Sequence, residues 1–132
     1  MKKFILLNIF FLSILFADIK IIASHSCKVE SLSEQDAKSL FMLKKKSIND
    51  ESITVVESSD KEIYKYFIKK YLKKSSRKIK VYWTRMLFTG KKIPPKKISK
   101  EELYGLDTNN SCYISYLEEF DKPTNWKILE IK

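Results

Sequence analysis

Ser58-Ser59-Asp60-Lys61-Glu62 brings two hydroxyls, an ammonium and two carboxylates to the start of a periodic apolar segment. Hydroxyls and free amides at a helix N-terminus can hold a small anion, so Ser58, Ser59 and Lys61 are the candidate ligand-binding residues. The same residues also read as a cap. Ser59 stands three residues before Glu62, and two carboxylates repel an anion at close range. Ser24, His25 and Cys27 could hint at a metal or nucleophile site, but His25 is the only histidine of 132 residues and leaves too few ligands. Glu118, Glu119 and Asp121 form a carboxylate cluster that serves either as an acid/base pair or as ordinary turn chemistry. No catalytic residue, metal or cofactor is implied.

The elements that must position these residues follow from hydrophobic spacing. Ile19–Ala23 reads as a buried strand and Ile53–Glu57 as a second, β-branched one. Ser33 three residues before Asp36 opens a helix through Leu43, with Lys44, Lys45 and Lys46 in its last turn. Beyond Ser59, Ile63, Tyr64, Phe67, Ile68, Tyr71 and Leu72 share a helical face. Ser75-Ser76 restart the chain, and Ile79, Tyr82, Trp83, Met86 and Leu87 form another stripe, closed by Gly90. Pro94-Pro95 cannot continue a helix. Ser99 and Glu102 start a short one, and strands over Cys112–Leu117 and Lys127–Ile131 end the chain. The order β-α-β-α-α-α-β-β predicts an α/β layer fold.

Lys2-Lys3, an apolar run from Phe4 to Phe16 and Ala17 before Asp18 describe a signal peptide over residues 1–17. The run is short of the ~18–20 apolar residues a membrane span needs, though an uncleaved anchor is the competing reading. A single domain over 18–132 follows, located in the periplasm. Cys27 and Cys112 both survive cleavage. They either pair, which in the chain-entropy model contributes about 4–5 kcal/mol, or remain as two thiols.

The formal charge is +10, and residues 61–100 hold 15 Lys+Arg against one acid, Glu62. Such a segment either faces a polyanion or is the solvated outside of amphipathic helices. Its aromatics lie mainly on the apolar stripes, and only Arg77 and Arg85 are arginine, so the solvated reading is favoured. Export removes nucleic acid as an expected partner.

Three stretches together resemble a family. Leu32-Ser33-Glu34…Ala37-Lys38-Ser39-Leu40-Phe41 resembles the Leu-Ser-x-x-Glu-Leu-x-x-Ile-Phe segment of phosphate ABC-transporter substrate-binding proteins. Tyr82-Trp83-Thr84-Arg85-Met86-Leu87-Phe88-Thr89-Gly90, then Pro94-Pro95, is similar to a stretch of their small, exported, single-lobe relatives. Asn110–Leu117 is similar to their Thr-Pro-Gly-Ala-Ile-Gly-Tyr-Val strand. The resemblance implies one lobe of a periplasmic-binding-protein-like fold with a short sheet flanked by helices. It implies a non-catalytic binding module whose ligand is a small anion such as phosphate. The family's Ser-Gly-Thr-Arg anion motif falls near Ser58–Tyr64, where this chain has no arginine and adds Asp60 and Glu62, so the anion site is degenerate. Arg85 matches the family pattern and reads as a structural ion-pair partner. Two other readings stay open: a cell-envelope protein-interaction module, and a basic polyanion-binding module.

Overall fold

The computed structural model describes residues 18–118 and 123–132. The expected signal peptide, together with Glu119 and Asp121, lies outside the described residues. Six strands form the main sheet. β1 (Ile19–Ser24) lies between β6 (Cys112–Glu118) and β7 (Trp126–Ile128), antiparallel to both. β4 (Glu51–Ser58) runs parallel to β6 on its other side, with Ile53 opposite Cys112 and Val55 opposite Ile114. The far flank of β4 carries β3 (Ser47–Ile48), antiparallel, and β5 (Lys96–Ile98), parallel. A separate parallel pair joins β2 (Ser31–Leu32) to β8 (Glu130–Ile131). The fold class is therefore mixed α/β, a central sheet flanked by helices.

Of the five strands that are only two or three residues long, β2, β3 and β5 escape hydrophobic periodicity, and the single strand expected over Lys127–Ile131 is two, β7 in the main sheet and β8 beside β2. β3 is placed by its turn: Asn49 and Asp50 both have positive φ (49° and 67°), the conformation a two-residue hairpin demands.

α1 (Glu34–Phe41), α2 (Lys61–Phe67) and α3 (Ser76–Phe88) share one hydrophobic cluster with the inward residues Ile21, Ala23, Ile53, Val55, Ile114 and Tyr116. α4 (Lys100–Tyr104) places Leu103 in a smaller cluster with Ile22, Val56, Leu117 and Trp126. Strand alternation sends neighbours such as Val55 and Val56 to opposite clusters, which is how a sheet is covered on two sides. The centre of the larger cluster is aromatic. Phe67 and Tyr116 stack with centroids 3.9 Å apart and 5° between planes, and Phe41 meets Phe67 edge-on at 4.6 Å.

The helix boundaries refine the expectations. α1 is capped by Ser33, whose Oγ accepts from Asp36 N at 3.0 Å. It ends at Phe41, two residues early, because Leu43 adopts a left-handed φ of 55°. Lys44, Lys45 and Lys46 therefore lie beyond the helix, and Lys45 pairs with Asp36 at 2.7 Å. α2 continues into a π turn over Ile68–Leu72, which keeps Ile68 and Leu72 buried with Phe67. Ser75 caps α3, and Gly90 ends it at φ +68°, with Gly90 N donating to Leu87 O and Lys91 N to Met86 O. That pair of bonds is a Schellman motif, which explains the glycine. Ile79 and Trp83 are buried as expected, whereas Leu87 is 54% exposed because α3 has outrun the core by that turn.

Cys27 and Cys112 are joined by a disulfide across 85 residues of sequence. It ties the loop after β1 to the start of β6. The same loop is stitched further by Ser26 Oγ donating to Ser111 O at 2.9 Å and by Ser24 Oγ accepting from Tyr113 N at 3.0 Å. His25 is part of this stitching: its Nε2 donates to the Thr124 carbonyl at 3.0 Å. Ser24, His25 and Cys27 are thus structural. Among the described residues no helix is long and apolar enough to cross a membrane, and no group of His, Cys, Asp and Glu could hold a metal.

Candidate functional site

Parallel strands β4, β5 and β6 all end on the same side of the sheet, at Ser58, Ile98 and Glu118. Helices α2 and α4 start there. In open α/β sheets this edge is where ligands bind, since strand ends and helix starts both leave backbone groups free. A cleft of about 380 Å³ occupies it.

Ser58 and Ser59 line this cleft, and Lys61, exposed at the first position of α2, does not. Ser58 is already engaged. Its amide donates to the Tyr116 hydroxyl at 3.1 Å and its Oγ accepts from Asp60 N at 3.0 Å. Ser59 N donates to Ile98 O at 2.9 Å, which holds the loop after β4 against the end of β5.

The expected cap at Ser59 is one residue off. Asp60 is the N-cap, and its Oδ1 accepts from Glu62 N at 2.9 Å and Ile63 N at 3.2 Å. An aspartate outranks a serine here because its charge also complements the helix dipole. At α4 the expected capping box is present, with Glu102 N on Ser99 Oγ at 3.1 Å and Ser99 N on Glu102 Oε1 at 3.2 Å. The helix starts that face the cleft are thus closed by the chain's own side chains.

Four carboxylates line the cleft: Glu57, Asp60, Glu101 and Glu118. Glu57 is the unusual one. It is 3% exposed, and burial pushes its carboxyl up to about 7, against the opposing pull of Lys97. Glu57 also forms part of a second hollow of about 610 Å³ between α3 and the Pro94-Pro95 segment, walled by Tyr64, Trp83 and Leu87. Lys97 Nζ sits 3.9 Å from the centroid of the Tyr64 ring. Burial, with Glu57 adding to it, raises the Tyr64 hydroxyl to about 12, and burial holds the Tyr116 hydroxyl far above its ordinary range. Both phenols are neutral at any physiological pH.

Sequence reasoning missed Glu57, Ser99, Glu101 and Tyr116 as cleft residues. A signal existed for Glu57, since Ile53, Val55 and Glu57 alternate on one strand face and put an acid where apolar residues are the rule. Ser99 and Glu101 carried none, because their place depends on the three-residue β5. Arg85, expected in an ion pair, makes no salt bridge among the described residues; it lines the outer trough of α3 with Val81 and Phe88.

The mixed α/β fold has a known likeness. It is similar to the crystal structure of an ABC-type phosphate transport receptor from Vibrio cholerae, with a TM-score of 0.56 over 87% of this chain at 11% identity. The match covers 46% of that receptor, so this chain spans less than half its length. No protein-family model and no curated protein matches the sequence.

Proposed function

We propose that the protein is an exported, non-catalytic binding module: one lobe of a periplasmic-binding-protein-like fold whose anion position has degenerated. The likeness to a phosphate transport receptor supports a binding role, and the carboxyl ends of the parallel strands are where open α/β sheets hold their ligands. The observation that carries the reading is the Asp60 carboxylate on the Glu62 and Ile63 amides. A phosphate at α2 would need those amides and would meet Asp60, Glu57 and Glu118 instead of an arginine. Residues 1–17 act in this reading as a cleaved signal peptide that delivers the chain to the periplasm.

Titration calorimetry with inorganic phosphate tests this. The wild type binds no tighter than about millimolar, equivalent to roughly −4 kcal/mol, and Asp60→Asn binds slightly tighter. Micromolar binding by the wild type would restore a working phosphate receptor. N-terminal sequencing of the envelope fraction returns Asp18 if the export reading holds and Met1 if it does not.

A further inference from the structure

The outer side of α3 departs from what a solvated helix face looks like. Phe88 is 91% exposed and Val81 is exposed on the same trough of the helix, and Ile93, five residues past the helix end, is 78% exposed. Arg77, Lys80, Val81, Thr84, Arg85 and Phe88 recur at three- and four-residue intervals and form one shallow trough. Lys91 and Lys92 follow directly at the glycine stop. From Arg77 to Lys97 the chain carries eight bases and no acid. None of the eight makes a salt bridge among the described residues, where other lysines of the molecule do.

We propose that this tip, from Arg77 to Ile93, docks on an anionic phospholipid surface, with Phe88 and Ile93 entering the interface and the surrounding bases resting among lipid phosphates. Charge complementarity names the occupant. A patch this basic attracts a negative surface, and an apolar tip ringed by cations is how a peripheral segment sits at the headgroup boundary. The residue types favour lipid over an acidic protein. Protein interfaces are enriched in arginine and depleted in lysine, because forked recognition needs a fixed carboxylate, whereas six of these eight bases are lysine. Lysine suits a diffuse negative plane, its stem lying along apolar surface while the ammonium stays in water. Phe88 projects from a helix end, as insertion requires. The binding-protein cleft lies elsewhere, at the carboxyl ends of β4, β5 and β6, so this surface does not depend on that reading.

Co-sedimentation with vesicles tests it, using the purified protein with its N-terminus read by mass spectrometry. Vesicles of equal parts phosphatidylglycerol and phosphatidylcholine should pull down the wild type, and pure phosphatidylcholine should not. Phe88→Ser with Ile93→Ser should weaken binding by about tenfold or more, and Arg85→Glu with Lys91→Glu should abolish it. All four side chains are exposed, so unchanged melting curves confirm that the variants are folded. Two results overturn the proposal: no sedimentation with the anionic vesicles, including the case where these residues capture an acidic protein instead, or sedimentation that Phe88→Ser with Ile93→Ser leaves unchanged.

Discussion

α2 and α3 carry apolar residues at the same helical spacing, and only one of them keeps its whole stripe from being exposed. On α2 and its π turn Ile63, Phe67, Ile68 and Leu72 are buried, and Tyr64 and Tyr71 are half-buried against the same core. On α3 the burial stops at Trp83; Tyr82 and Met86 are half-covered, and Leu87 and Phe88 are exposed. The difference is what lies beneath. α2 rests on β1, β4 and β6 at the middle of the sheet. α3 begins over the same core and runs beyond it, ending among the lysines that precede β5. Periodicity thus identifies which side of a helix is apolar, and the neighbouring elements decide how much of that side leaves water.

Phe67→Ala should have the largest effect. It empties the aromatic stack with Phe41 and Tyr116, and the lost burial plus the cavity should cost about 3–5 kcal/mol. Urea unfolding reads it directly. A loss below about 1 kcal/mol would mean that α2 is no better seated than α3.

The next effect is at Glu57, where the two helices part and Tyr64 of α2 faces Trp83 of α3 across the hollow. Its folded carboxyl titrates near 7 against a usual 4.5, because burial favours the neutral form. The native state then holds a proton more tightly than the unfolded chain does. Stability from this group is full below pH 4.5, falls as pH rises towards 7, and is flat above that. The drop is on the order of 3 kcal/mol. Glu57→Gln should leave the protein nearly unchanged at acid pH and raise its melting temperature above neutrality. Equal melting temperatures for both proteins at alkaline pH would show that Glu57 is better solvated than its 3% exposure implies.

Leu87→Ala should be the smallest, within about 0.5 kcal/mol, because the side chain already meets water. A loss comparable with Phe67→Ala would place Leu87 in a covered interface and erase the contrast between the helices.

Much of the fold was legible because it rests on local chemistry. Ser33, Ser75 and Ser99 announce helix starts, Gly90 announces a stop, and the β-branched run at Ile53–Val56 announces a strand; each needs only its neighbours in sequence. Of the cleft, Ser58, Ser59 and Asp60 were read in advance as one site, and Glu118 as part of a separate carboxylate cluster. Asp60 takes the cap from Ser59 because the loop after β4 is held by Ile98 O and the Tyr116 hydroxyl, two partners distant in sequence.

The sequence by itself determined the helix starts, the inward faces, the strongest strands and the concentration of positive charge between residues 61 and 100. Those depend on spacing and residue type within a few turns. Only the tertiary structure decided the rest. It joined Cys27 to Cys112, it buried Glu57 at the junction of two hollows, and it left Phe88 in water among bases that make no salt bridge among the described residues. Each of these is a question of which distant surface arrives to cover a group, and burial, unlike helical phase, is set by the whole chain.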